Sequence, residues 1–308
     1  MTAASNTVAA PTERSQRSPD QRGWSWTAAL FVLPALVLLG VFLLYPTIST
    51  IILSFENGFD NYVRLFTRDS SFLSFRNFPP SGAFWNNLLW VVFYTSGCVL
   101  LGLLVAVLAA RVRYEALIKA IVFIPQAIAA TALGVIWRFV YFPNEQTGLL
   151  NAGLGTVGID PISWLGSASW VNTSLIIAGI WGSVGFATVI LSAALKGIST
   201  EILEAARVDG ARESQIFWRI LVPMLSLPIS VVAVTLIINV VKLFDLIFVM
   251  TAGGPANASR TIAFTMYNEA LAQRNFDYGA AIAVVMLVLL IPVMIFNVRR
   301  FRADRVVA

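Results

Sequence analysis

Side chains able to do chemistry are few in this chain, and they gather in two places. No histidine occurs in the 308 residues and Cys98 is the single cysteine. Histidine acid–base work, histidine metal sites and an intrachain disulfide are thereby excluded, and a buried structural thiol is the reading for Cys98. Asp60, Asp69, Glu145, Asp160, Glu269 and Asp277 are scattered without the spacing that a carboxylate pair or a metal site would need. The first gathering is Lys242 and Asp245, inside an apolar run. Three residues apart on one helix, they share a face and can pair. A charge at the centre of a bilayer costs about 2.5–3.5 kcal/mol on insertion scales, which drives it to a bundle interior, a wet cavity or, by snorkelling, the interface. The second gathering is a polar segment: Glu204-Ala205-Ala206, three residues, Gly210, nine residues, then Ile220 and Pro223. It suits docking rather than bond chemistry. Ser199 or Thr200 can cap a helix whose first turn carries Glu201 and Glu204, the favourable sign for that end of the dipole. Ala205 and Ala206 keep one face thin, and Gly210, beside Asp209, suits the left-handed residue that ends a helix. A second helix from about Arg212 then places Ile216 and Ile220 on one face, and Pro223 ends it.

The elements that must position these residues are apolar. The chain is 58% hydrophobic and 12% charged, where a soluble domain carries about 25% charge. Six stretches suffice to cross a bilayer: about 27–53, 84–109, 117–141, 172–195, 227–250 and 279–298. The fold class is all-α, a polytopic membrane protein with six transmembrane helices, because unpaired strands in lipid would strand their backbone groups. The formal charge of +5 reports topology and implies no nucleic acid. Most basic residues fall before the first span (Arg14, Arg17, Arg22), between the second and third (Arg111, Arg113, Lys119), between the fourth and fifth (Lys196, Arg207, Arg212, Arg219) and after the sixth. That asymmetry places both termini in the cytoplasm. The organisation expected is a disordered cytoplasmic tail over 1–22, a transmembrane domain over 23–300 with a cytoplasmic loop at 196–223, and a cytoplasmic tail over 301–308. Trp24 and Trp26 belong at the headgroup level, and Pro79-Pro80 breaks the first external loop. The third loop, 142–171, suits a short helix lying at the outer interface. Pro34, Pro125, Pro228 and Pro292 lie within spans, where ordinary kinked helix geometry accounts for most of them.

The polar segment resembles the EAA loop of permease subunits in binding-protein-dependent ABC importers, whose pattern is E-A-A, three residues, G, nine residues, I, one residue, L-P. Glu204, Ala205, Ala206, Gly210, Ile220 and Pro223 match it, with Val222 in place of the leucine. Gly148-Leu149-Leu150-Asn151, Trp164-Leu165, Leu195-Lys196-Gly197-Ile198 and Thr251-Ala252-Gly253-Gly254-Pro255 look like the carbohydrate-uptake, maltose-type branch. Asn86-Asn87-Leu88-Leu89-Trp90 and Ile136-Trp137-Arg138-Phe139 look similar to alpha-glucoside permeases within it.

The resemblance implies a coupling helix docking on a separate ATP-hydrolysing subunit, with Glu204 meeting a basic group there and Gly210 setting the hairpin angle. Coupling would fall to Glu204, Ala205, Ala206, Asp209 and Gly210. It further implies a second homologous permease subunit, two ATP-binding subunits, an extracytoplasmic solute-binding protein and a sugar substrate, in the bacterial cytoplasmic (inner) membrane. ATP and Mg would sit on the partner ATPase, and this chain would bind no cofactor or metal and have no catalytic residue. No G-x-x-x-x-G-K-[ST] loop occurs in it. Pathway candidates carried over are Trp181, Ser183 and Phe186 before the hairpin and Asn239 and Lys242 after it, joined by Asp245. The small residues around Trp181 equally suit close helix packing. Alternative readings are an ABC permease for a non-sugar solute, an ion-coupled secondary transporter, which would need more intramembrane carboxylates than Asp245, and a membrane-embedded enzyme, which would need acidic residues clustered at one face.

Overall fold

A chain with this apolar periodicity has little choice but helix, and helix is what it forms. The computed structural model describes residues 26–75 and 81–307, the backbone alone for 27–29 and 301–307. Among the described residues every regular element is helical, apart from one isolated antiparallel bridge between Ser74 and Ser81. The 1–22 tail, Trp24, Arg76 and Pro79-Pro80 fall outside the described residues.

Four helices are long and apolar enough to cross a membrane: α1 (Leu30–Ser54), α2 (Ala83–Ala109), α6 (Val171–Lys196) and the Phe276–Arg300 part of the last helix. At 1.5 Å per residue, 25 residues reach roughly 37 Å, more than the hydrocarbon core requires. Two further candidates are bent pairs. α3 (Glu115–Ala127) meets α4 (Ala130–Val140) at 101°, and α8 (Glu213–Met224) meets α9 (Ser226–Val241) at 69°. If each bent pair is one span, the number reaches six. The shorter helices include α5 (Leu149–Thr156), α7 (Thr200–Val208), α10 (Asp245–Met250) and α11 (Ile262–Tyr267); α12 (Phe276–Val307) closes the chain.

Two expected continuous spans are therefore broken. The 117–141 stretch bends after Pro125, which sits in a tight turn over Ile124–Ala127 before Ile128 goes extended. Proline has no N–H to donate and its ring crowds the carbonyl four residues back, which loosens the helix here, although α1 and α12 run on through Pro34 and Pro292. The 227–250 stretch breaks at 242–244, between α9 and α10, with no glycine or proline at the break. Partners from elsewhere hold it open. Asn87 Nδ2 donates to Val240 O at 2.9 Å, and Thr261 Oγ1 donates to Leu243 O at 2.7 Å. Carbonyls released from a helix and buried must find donors, and these two do. Pro223 does not stop α8 where it stands. The turn before it widens, Val222 N–H reaching Phe217 O, and the helix continues to Met224.

The chain divides into two compact units, Met1–Ser49 and Thr50–Ala308. The first holds most of α1. In the second, α2 and α6 form the centre of the core, with Trp90, Tyr94, Cys98 and Leu103 against Leu175, Ala178, Ala187 and Leu191. α4, α9 and α10 close around them through Leu133, Leu236 and Ile247. Small residues permit this closeness. A Cβ on Gly185 would lie 2.5 Å from Val122 O, so α6 and α3 touch backbone to backbone there. A smaller core joins Leu65 and Phe72 to Ile262, Tyr278 and Ile282.

Candidate functional site

Glu204 and its neighbours lie on α7, a helix none of whose residues is buried. Ser199 caps it, the hydroxyl accepting the Glu201 N–H at 3.2 Å, and Glu201 stands in the first turn. At the other end Gly210 takes φ +81°, where its N–H reaches Arg207 O and the Ala211 N–H reaches Ala206 O, both at 3.0 Å. These two bonds make a Schellman turn, which a left-handed glycine closes without Cβ strain. The Arg212 N–H then donates to Gln215 Oε1 at 2.8 Å and opens α8.

The hairpin is also clamped by charge. Glu213 accepts from Arg207 Nε at 2.9 Å and from Arg111 Nη2 at 2.6 Å, which ties α7, α8 and the turn after α2 together. Lys119 and Lys196 pair in the same way with Glu115, the latter at 3.0 Å, joining α3 to the end of α6. In the sequence these basic residues mark topology; which loops meet is decided by the fold. Glu204, Ala205, Asp209 and Gly210 are exposed and Ala206 half-buried. Residues 201, 204, 205 and 208 share one helical face, so two carboxylates, Ala205 and an 87% exposed Val208 stand together.

The pathway candidates do not form one cluster. Trp181 lines a cavity of about 480 Å³ walled by Trp137, Tyr141, Trp164 and Trp170, with the Trp137 ring edge-on at 5.8 Å. Ser183, two residues on, turns the other way and accepts a hydrogen bond from Tyr94 Oη at 2.8 Å. Tyr94 also lines a smaller cavity, about 120 Å³, with Asn239, Trp90 and Leu246. Tyr94 thus bonds to Ser183 and shares a cavity wall with Asn239. Phe186 packs on the main core. Lys242 and Asp245 flank the break between α9 and α10, both exposed. They do not share a helical face, and among the described residues neither forms an ion pair. The expected pairing is corrected by the break itself, which turns three residues of spacing into a change of direction.

Buried amides are what the sequence reading passed over. Asn87 donates to Val240 O and accepts the Ile262 N–H at 2.8 Å. Asn151 donates to Phe142 O and Ile162 O and accepts from Ile162 N–H and Trp164 Nε1. An asparagine within an apolar stretch was the available signal, since a buried amide must be satisfied by something. Among the described residues no three His, Cys, Asp or Glu side chains gather as a metal site would require.

Comparison with known proteins bears on this arrangement. Residues 98–303 match the family described as binding-protein-dependent transport system inner membrane component. The chain belongs to this family. The permease is 45% identical to the osmoprotective compounds uptake permease protein GgtC of Synechocystis sp., over 89% of its own length and 99% of that relative's. It is 38% identical to the alpha-glucoside transport system permease protein AglF of Rhizobium meliloti, over 88% and 81% respectively. In fold the permease resembles a chain from the crystal structure of a bacterial ABC transporter that imports alginate, with a TM-score of 0.76 at 22% identity, covering 90% of this chain and 96% of that one.

Proposed function

We propose that this permease carries a sugar, an alpha-glucoside or related oligosaccharide, across the cytoplasmic membrane as one subunit of an ATP-driven importer. Its partners are a second permease subunit, two ATP-binding subunits and an extracytoplasmic solute-binding protein. The observation that carries the reading is α7: a capped, glycine-terminated helix with no buried residue, clamped at its base to the rest of the bundle. An exposed face of carboxylates, alanine and valine on a rigid mount suits a socket on an ATPase. Both termini and the hairpin lie on the cytoplasmic side in this reading, as the distribution of basic residues requires. Each bent helix pair then serves as one span, six in all. The substrate class is drawn from AglF and from two further relatives at 31% and 30% identity, named for trehalose/maltose and lactose transport. The name of GgtC favours a second reading, uptake of an osmoprotective solute. Reconstitution tests the sugar reading. The complex, purified through this chain and placed in proteoliposomes with its binding protein, should take up labelled maltose, trehalose or sucrose only when ATP is supplied. Recovery of the chain with no ATPase attached, or ATP-independent uptake, would remove the assignment.

A further inference from the structure

A larger cavity than any discussed so far opens at the end of the bundle away from the hairpin. Its volume is about 980 Å³, at the upper end of the range for small-molecule sites. The loop before α2, the first turns of α2, the start of α6 and residues 256–258 line it. Asn172 stands 24 positions before Lys196 on α6, so the groove lies roughly 36 Å along that helix from the hairpin end. No lining residue is charged. Hydroxyls and amides (Ser71, Asn86, Ser169, Asn172, Thr173) share the walls with ring surface from Trp85 and Phe93.

The amides are arranged to leave one acceptor over. Asn86 Nδ2 donates to Ala258 O and Arg260 O, both at 2.8 Å. Asn172 Nδ2 donates to Asn86 Oδ1 at 3.1 Å and to Ala258 O at 2.9 Å. Both side-chain amides have thereby spent their donors on the protein, while Asn172 Oδ1 is buried with no donor facing it. A buried acceptor of this kind wants an O–H or N–H from a ligand. A charge-free wall disfavours an ion, because nothing there offsets its desolvation. Hydroxyls beside ring faces match a pyranose, whose C–H surface is apolar and whose hydroxyls donate and accept. We infer that this groove is a receiving site for a neutral sugar, distinct from the Asn239 cavity and sharing only Thr173 and Ile177 with the Trp181 cavity, in which a small side-chain shift opens Asn172 Oδ1 to a sugar hydroxyl. The inference rests on the sugar-importer reading above, in which this end of the bundle faces outward.

Thiol protection on the assembled complex in proteoliposomes tests it. Cys98 is buried and is the only cysteine of the chain, so Ser169→Cys gives this subunit one thiol within reach of a membrane-impermeant reagent. Labelling of this chain is followed by mass, with and without the free sugar that the complex takes up. The sugar should slow labelling at least threefold, and a glucuronate-containing disaccharide should not. Adding Asn172→Leu should raise the sugar concentration for half-protection roughly three- to tenfold, the loss of one hydrogen bond. Asn172 also braces Asn86, so Phe93→Ala, on an exposed ring that lines this groove and not the Trp181 cavity, is the second variant and should weaken protection while the complex still assembles. Intact sugar uptake with labelling indifferent to sugar, or equal protection by the charged disaccharide, overturns the groove assignment alone. Loss of subunit assembly in Phe93→Ala would mark the groove as a subunit interface and overturn it too. Failure of the wild-type complex to take up any sugar would instead strike the earlier reading.

Discussion

Asp69 stands half-buried in the loop before α2, holding that loop to the last helix. Its Oδ1 accepts from the Ser71 hydroxyl at 2.6 Å and from the Ser71 and Phe72 N–H groups, and its Oδ2 accepts from Tyr278 Oη at 2.7 Å. Burial alone would raise the carboxyl's pKa, but donors from Ser71, Tyr278 and the backbone more than reverse this, leaving it below the ordinary 3.8. A depressed folded-state pKa stabilises the fold above the ordinary value, and that contribution is lost as pH falls through the lower, folded one. Thermal unfolding in detergent should therefore show Asp69→Asn less stable than wild type at neutral pH, with the gap closing in the acid range. A gap constant with pH would show that shape, not charge, matters there. Gly210 makes a different demand. A Cβ at this position would meet nothing within 4 Å, so the space is open, but φ is +81°. A β-branched side chain there is strained by about 1–2 kcal/mol or more. Gly210→Val should leave the protein inserted and assembled yet lower sugar uptake per ATP hydrolysed. Normal coupling in that variant would argue that the turn angle is immaterial.

At the scale of elements, the informative feature is where helices stop. The bend between α3 and α4 has a local cause in Pro125, and a reader of sequence can see the proline without knowing that it breaks rather than kinks. The break at 242–244 has no local cause at all. Its carbonyls are held by Asn87, 153 residues from Val240, and by Thr261, 18 residues from Leu243. Apolar periodicity is blind to such partners, which is why a continuous span over 227–250 was the natural reading. Asn87→Ala should destabilise, because it strands the Ile262 N–H in a buried place and leaves Val240 O with the Leu243 N–H alone. One orphaned buried donor costs about 1–3 kcal/mol, so a fall in melting temperature of several degrees is expected, against little change for the exposed Ser96→Ala. A small effect at Asn87 would mean that the break is held by packing instead.

Across the whole molecule, the hairpin and the bundle are joined by exposed ion pairs. Such pairs are screened by water and worth little, so Glu213→Gln should scarcely change thermal stability. Its expected effect is mechanical: with Arg207 and Arg111 released from a shared partner, more ATP should be hydrolysed per sugar moved. High salt should make wild type behave like the variant, since exposed charges are screened. If neither treatment alters the ratio, the clamp is ornamental to coupling. Membrane class, helical content and the hairpin with its left-handed glycine were legible in the residues themselves, because hydropathy, capping and φ preference act over a few neighbouring positions. Local rules could not say that Lys242 and Asp245 part company or that Ser183 turns from the Trp181 cavity to Tyr94. Nor could they say that Asn86 and Asn172 meet over Ala258, or that Arg111 reaches Glu213. Each of those depends on groups far apart in the chain satisfying one another's buried donors, acceptors and charges. Only the folded arrangement brings such groups within hydrogen-bonding distance.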